Sequence, residues 1–381
     1  MRIHSGQPKP PLLQLDMLRS AQHIARLCTQ DAGAMTIIEG RLVRGLGQGA
    51  GFTQIDWVCE QLLALAGIDP YPGTLNLALE DEHHRTRWRN WREQPGQRLT
   101  TPQQSSCNAR CYPVKIEGCI PAAVILPEVP DYPDAKLEIV AALPLREHLA
   151  LAEGCRVRVE LCRPLPVAAI LFDLDGTLVD STQAFLEVAR CAAQPHGLTV
   201  TARHVRDSLA TGSNFWRDIL PRDWPDYASV MKSMTTHARQ VWPDILRKHG
   251  KIFAGSAEIL AALKRQGIRL AVVSGAYSAV LELLRASDLL EMFDAVVLGS
   301  DVAKPKPDPE GIHKCLRQLG VAADAALYVG DTPIDVQACR AAGVYAIGVL
   351  TGAGTSASLS AQAPDRLIGT LAGLPDCVVL K

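Results

Sequence analysis

The 381-residue sequence has no apolar run long enough to cross a bilayer and no excess of charge of either sign, with 39 basic and 40 acidic residues for a formal net charge of -1. Near-neutrality gives no reason to expect bulk binding to nucleic acid or to an anionic membrane. The apolar start at 10–18 is too short and too interrupted for a membrane span, and no signal-peptide pattern precedes it, so the cytoplasm is the expected compartment. Paired cysteine spacings are missing as well. Eleven cysteines are scattered along the chain, and an odd number in a chain this long argues against a secreted disulfide scaffold. Cys107 and Cys111 have no matching second pair and no nearby histidine, so small thiols, not a zinc site, are expected there. Internal repeats and low-complexity linkers are absent too. The glycine-rich GLGQGAG at 45–51 has neither the GKS/GKT of a phosphate loop nor the spacing of a dinucleotide fingerprint.

What is present is a soluble globular composition, 48% hydrophobic and 21% charged, in a chain long enough for two or three domains. Residues 1–35 form an expected helical extension, with apolar positions at helical spacing over 11–31. From Met35 short strands alternate with glycine and proline turns: MTIIEGRLVRG, LNLAL, CYPVKIEGC, AAVILPE, KLEIVAA and CRVRVELC, with one helical stretch at 54–66. This grammar predicts a small, mainly β domain over 36–163, with a closed barrel as its simplest form. Residues 81–104, rich in His, Arg, Trp and Gln, read as an irregular excursion in which Trp88 and Trp91 could stack on a flat ring and Arg85, Arg87, Arg89 and Arg92 could steer phosphates. At Pro164–Pro166 the grammar changes. VAAILFDLDG, RLAVVSG, AVVLGS, AALYVGD and YAIGVL are buried-type strands separated by helical patterns, which predicts a parallel sheet with helices on both faces over 167–381. The strand-free stretch at about 182–257 reads as a helical insertion between the first two sheet strands.

Chemistry-bearing residues gather at the predicted strand ends. Asp173 and Asp175 stand two apart, so both side chains face one way while Leu174 faces the other. Ser274 ends VVS, Lys304 lies in SDVAKPKPDP, and Asp331 and Asp335 lie in GDTPIDV. A nucleophile, a neighbouring acid, anion donors and magnesium-holding carboxylates are the parts that phosphoryl transfer to a carboxylate needs. From about Ile170 to Gly352 these motifs, in this order, resemble the haloacid-dehalogenase-like phosphatase superfamily, in its phosphoglycolate-phosphatase-like branch. The resemblance implies a Rossmann-like sheet, a type-one helical cap, and hydrolysis of a small phosphate ester through an aspartyl-phosphate on Asp173. Asp175 would serve as acid and base, and Ser274 and Lys304 would bind the phosphoryl group, with Thr177 nearby. Mg2+ would be held by Asp173, Asp331 and the Asp175 carbonyl, with Asp335 in support. In the cap segment LATGSNFWRD, Asn214, Trp216 and Arg217 stand as candidate substrate contacts beside a plain packing role.

The turn DPYPGTLNLALE raises a second possibility. Thr74 and Asn76 alternate about Leu75, so both can face one polar site, and neutral oxygens suit a magnesium ion bound mainly through nucleotide phosphates. The glycines of 45–51 leave backbone amides open to anionic oxygen. Over about 36–162 the blocks IIEGRLVRGLGQGAGF, PYPGTLNLAL, CYPVKIEGCIPAAVILPE and YPDAKLEIVAALPLREHLALAEGCRVRVEL resemble, in order, the archaeal-type CTP-dependent riboflavin kinase. This implies a six-stranded cradle-loop barrel that takes CTP as phosphate donor and riboflavin as acceptor, yielding CDP and FMN. Leu46, Gly47, Gln48, Gly49, Ala50 and Gly51, with Leu143, Pro144, Leu145 and Arg146, would hold the nucleotide. Thr74 and Asn76 would hold the magnesium, and Glu138 would be the base. Where that family has a threonine before YPDAKLEIV this chain has Asp131, and where it has a lysine before LRE this chain has Pro144. A non-flavin acceptor and a non-catalytic nucleotide-binding module are the alternatives for this half.

Overall fold

The computed structural model describes residues 36–45, 49–94, 96–102, 107–130, 132–211, 215–275 and 278–381. The expected helix at 11–31, the loop residues Leu46–Gln48, Asp131 and Asn214 lie outside them.

The N-terminal half closes into a six-stranded ring. Its strands are β1 (Thr36–Val43), β2 (Leu75–Ala78), β4 (Ala109–Ile116), β5 (Ile120–Pro127), β6 (Lys136–Ala141) and β7 (Arg156–Leu161). They run in the order β4-β5-β6-β2-β1-β7, and β7 returns to β4. Closure through β1 and β7 is made by Leu42 N–H to the Cys155 carbonyl at 2.8 Å and Gly154 N–H to the Leu42 carbonyl at 2.9 Å. A further short strand, β3 (Gln97–Leu99), hangs on the outer end of β4. Alternation along β5 explains why nearly all of it is buried. Ala122, Val124 and Leu126 enter the barrel core, while Ala123 and Ile125 enter a second core beneath helix α1 (Asp56–Ala66), beside its Val58 and Leu62.

The described part of the excursion opens with a regular helix, contrary to expectation. Asp81 caps helix α2 (Glu82–Arg92) by accepting from His83 N–H at 2.7 Å. This helix turns Trp88 and Trp91 into the barrel core, and Trp88 sits edge-on to Tyr112 at 5.5 Å. Three of its four arginines are committed to structure: Arg89 binds Glu82 and Asp134, Arg85 pairs with Glu82, and Arg87 donates to the Ile37 carbonyl. The ring-stacking role expected for the two tryptophans is therefore replaced by core packing, because the helical period puts both on the apolar side.

The C-terminal half is a parallel six-stranded sheet. Its strands are β8 (Ala169–Phe172), β9 (Arg269–Val273), β10 (Ala295–Val297), β11 (Ala326–Gly330), β12 (Tyr345–Val349) and β13 (Arg366–Ile368), in the order β10-β9-β8-β11-β12-β13. The order reverses at β8, which creates a crevice at the C-terminal ends of β8, β9 and β11. Helices α3 (Thr182–Ala193), α4 (Ala202–Thr211) and α5 (Tyr227–His249) form the insertion, with a small core of their own around Ala189, Val205, Met234 and Ala238. A two-stranded pairing of Val179–Asp180 with Lys251–Ile252 joins its two ends to the sheet domain. Helix α6 (Ser256–Arg265), counted in part with the insertion from sequence, instead packs Leu260 and Leu263 into the sheet core.

The two halves touch closely. Thr370 N–H donates to the Ala64 carbonyl of α1 at 3.1 Å, and a Cβ on Gly369 would stand 1.8 Å from the Leu63 carbonyl oxygen. Gly67 ends α1 with φ +66°, and a Cβ there would lie 3.1 Å from Ile368 N. Glycine thus lets α1 pack backbone to backbone along the edge strand β13, which shields that edge from pairing elsewhere.

Candidate active site

Each element that ends at the crevice delivers one polar group. β8 runs straight into Asp173, whose N–H is held by the Val329 carbonyl at 2.9 Å. β9 delivers Ser274, which hydrogen-bonds the Asp173 carboxylate, and β11 delivers Asp331. Helix α7 (Pro333–Ala342) follows at once, and its first turn carries Asp335. Asp173, Asp331 and Asp335 are all buried and each offers an oxygen within 4.8 Å of the others.

The lysine is the main correction. Lys304 is 74% exposed and its ammonium lies 3.9 Å from Asp308 at the surface. Glu310 accepts from the backbone N–H groups of Ala303 and Lys304 at 3.0 and 2.9 Å, which pins this turn outside the crevice. Two residues on, Lys306 is 14% exposed and reaches in: its Nζ is 3.1 Å from Asp173 Oδ1 and 2.6 Å from Asp335 Oδ1, and it donates to Tyr328 Oη at 3.0 Å. Burial works to lower its pKa, but the charges of Asp173 and Asp335 overcome this and hold the ammonium well above the usual lysine value. Both lysines precede a proline in KPKP, so no local signal in the sequence tells them apart.

Asp335 spends its oxygens on scaffolding. Oδ1 takes Lys306, while Oδ2 takes Thr332 N–H at 2.9 Å and Thr332 Oγ1 at 2.5 Å, capping α7. Asp331 is enclosed by glycines that leave it room: a Cβ on Gly176 would come within 2.4 Å of its Oδ2, and one on Gly352 within 1.9 Å. Ala353 N–H donates to Oδ2 at 2.8 Å, and Thr177 approaches Oδ1 at 3.4 Å. Burial, then the charges of Asp335 and Asp173, push the Asp331 carboxyl well above the usual carboxylate range; burial likewise raises Asp173 despite Lys306. One lysine does not balance three clustered carboxylates. An all-oxygen, anionic pocket of this kind suits a hard divalent cation such as magnesium. Asp175 lines the same cavity outside the three-acid cluster: it is partly exposed, accepts from Ser181, and burial pushes its carboxyl up to about 6. A carboxyl so raised sits near the range of a neutral-pH proton donor.

A cavity of about 950 Å3 opens from this cluster toward the helical insertion. Trp216 lines it, as does Arg239, a residue the sequence reading missed; Arg217 is exposed and is not among the lining residues.

The barrel brings some of its expected site residues together. In the β2–β6 register Asn76 stands directly opposite Glu138, so both side chains share one face. Asn76 donates through Nδ2 to the Thr74 carbonyl and hydroxyl, both at 3.1 Å, which leaves its amide oxygen as the acceptor able to meet a cation. Gly45 lies against this amide, since a Cβ there would be 2.4 Å from Asn76 Nδ2. Gly73 has φ +123° and donates to Thr53 Oγ1 at 2.8 Å, so the turn needs glycine for its backbone. Glu138 forms an ion pair with Lys136. Gly49, Ala50 and Gly51 belong to a helical turn, Gly49–Phe52, in place of an open loop. Pro144 precedes the short helix Leu145–His148; Leu145 is buried in the barrel core, Leu143 packs against it, and Arg146 is exposed.

A doubly wound sheet with carboxylates, a serine and a lysine at its switch point defines a phosphoryl-transfer hydrolase. Residues 170–349 match the family model described as haloacid dehalogenase-like hydrolase. The plasmid phosphoglycolate phosphatase of Cupriavidus necator is 33% identical over 220 residues, 55% of this chain and 93% of that relative. The chain belongs to the haloacid dehalogenase-like hydrolase family. In solved structures the fold is similar to that of a predicted phosphoglycolate phosphatase from Haemophilus somnus, with TM-score 0.50 and 22% identity over 55% of this chain and 96% of that one. Residues 42–161 match the CTP-dependent riboflavin kinase domain model, described as domain of unknown function DUF120. The riboflavin kinase of Methanocella arvoryzae is 34% identical over 137 residues, 35% of this chain and 59% of that relative. Among the described residues, no helix is long and apolar enough to cross a membrane.

Proposed function

We propose that the C-terminal domain hydrolyses a small phosphate monoester by way of an aspartyl-phosphate on Asp173. The observation that carries this reading is the convergence of Asp173, Lys306, Ser274 and Asp331 at one strand-end crevice. Asp173 attacks phosphorus while Asp175 gives its proton to the leaving alcohol oxygen. Asp175 then takes a proton from the water that attacks the phosphoaspartate, and inorganic phosphate leaves with Asp173 restored. Lys306 and Ser274 hold the phosphoryl oxygens, and Asp335 holds Lys306 in place. Asp173, Asp331 and the Asp175 carbonyl would hold Mg2+, which offsets repulsion between these carboxylates and the incoming phosphate.

The two lysines separate this site from its surroundings. Lys306→Ala is expected to lower kcat/KM for an aryl phosphate by about 10²–10³, the scale of removing one preorganised charge donor. Lys304→Ala is expected to stay within about twofold of wild type. Steady-state kinetics on both variants decide it, and equal losses would reject the assignment.

For the barrel, the reading is CTP-dependent phosphorylation of riboflavin or a related alcohol. Glu138 would accept the proton of the hydroxyl that attacks the terminal phosphate, and CDP would leave. The Asn76–Glu138 register and the Thr74–Asn76 pair support it. Calorimetry on the full chain with Mg2+ and CTP is expected to show binding that weakens about tenfold or more in a Thr74→Ala, Asn76→Ala double variant. Equal binding by both proteins would reduce Thr74 and Asn76 to turn and strand residues. Binding with no transfer to riboflavin would favour the regulatory-module reading or a different acceptor.

A further inference from the structure

Hydrolysis at Asp173 does not explain the rings that line the same cavity. The chain has only six tryptophans and six phenylalanines, and four of these twelve line the one cavity that ends at the acid cluster: Phe185, Phe215, Trp216 and Trp242. Phe185 comes from α3, Trp242 from α5, and Phe215 and Trp216 from the short helix Phe215–Ile219. All four are partly buried and pack against the apolar core of the insertion, yet each also lines the cavity. They form two pairs, Phe185 with Trp242 at 4.6 Å between ring centroids and Phe215 with Trp216 at 5.0 Å. Arg239 lines the same cavity almost one turn before Trp242 on α5; it is exposed and has no ion pair among the described residues. The cavity, at about 950 Å3, is sized for a ring-bearing ligand, near the top of the ~300–1,000 Å3 range of small-molecule sites. A two-carbon acid phosphate would engage the acid cluster and leave most of this apolar wall in contact with water.

We propose that the substrate class is a phosphate monoester whose alcohol part carries a planar aromatic or heteroaromatic ring. The ring lies among Phe185, Trp216 and Trp242, and Arg239 faces its electronegative substituents. This rests on the phosphatase reading of Asp173. Flat rings stack on aromatic side chains with little regard to their pattern of substituents, so the walls set a class of ring and the phosphate sets the reaction.

The test uses the full chain with Mg2+ and four esters: 2-phosphoglycolate, glycerol 3-phosphate, a nucleoside 5′-monophosphate and flavin mononucleotide. At least one ring-bearing ester is expected to exceed both aliphatic esters in kcat/KM by about tenfold or more. Trp216→Leu and Trp242→Leu are each expected to cut that ratio by about tenfold, mostly through KM. Arg239→Gln, at an exposed helix position, should lower it as well and avoids any folding question. A second readout is binding without turnover: in Asp173→Asn protein, the preferred ring-bearing ester should quench tryptophan fluorescence at concentrations where glycerol 3-phosphate does not. Preference for an aliphatic ester, or a ratio unchanged in all three cap variants, would overturn the inference and leave the phosphatase reading standing. No hydrolysis of any ester would overturn both.

Discussion

Asp173→Asn is expected to abolish phosphomonoester hydrolysis, lowering kcat by about 10⁴ or more, as removal of a covalent nucleophile does elsewhere. Asparagine has the same shape and keeps one oxygen for Ser274, but its amide group is not a nucleophile toward phosphorus at neutral pH. The neighbours limit structural damage, because Lys306 retains Asp335 at 2.6 Å and Tyr328 at 3.0 Å. Circular dichroism should therefore match wild type while turnover of an aryl phosphate disappears. Asp175→Asn is a useful companion. It leaves the nucleophile in place but removes the group whose carboxyl burial raises to about 6, so it should spare hydrolysis of esters with very good leaving groups more than that of alkyl esters. Residual turnover in Asp173→Asn at wild-type rates would refute the assignment of the nucleophile.

Removing divalent cations is the second large effect. Asp173, Asp331 and Asp335 are buried together, with Lys306 as the cation that pairs with two of them. Burial and mutual repulsion already push Asp331 well above the usual carboxylate range, and a phosphate would add further negative charge. Exhaustive chelation and dialysis should lower turnover by about 10³ or more, and added Mg2+ should restore it. The same charge imbalance has a readout independent of catalysis. Mg2+ binds the folded cluster and not the unfolded chain, so the melting temperature should rise with its concentration. In Asp331→Asn that rise should largely vanish along with activity. An unchanged rate after chelation, or an equal thermal shift in wild type and variant, would remove the metal from the account.

Some of this molecule is written in short stretches of chain. Apolar runs such as AAILF and ALYVG, each followed by acids, are local facts of period and composition, and they specified both the parallel sheet and the strand ends at which Asp173 and Asp331 appear. The barrel strands were legible for the same reason, with boundaries moved by up to three residues. β3 (QRL) and β13 (RLI) were not: β10 is equally short but lies in the apolar run AVVL, whereas these two lack such a run and owe their existence to the neighbour they pair with.

The sequence by itself determined the two fold types, the succession of their longer strands along the chain, and the acids, since each rests on periodicity within ten or so residues; the order of those strands within each sheet came from tertiary pairing. Tertiary structure alone decided which lysine enters the site. Lys304 and Lys306 share the same local setting, and the choice is made by Glu310 holding one turn outside while Asp173 and Asp335, far away in sequence, neutralise the other within. It also decided that Trp88 and Trp91 serve the barrel core while Phe185, Phe215, Trp216 and Trp242 face the catalytic cavity. Aromatic side chains carry the same apolar surface wherever they stand, so whether a ring packs in a core or waits for a ligand depends on what the rest of the chain places against it.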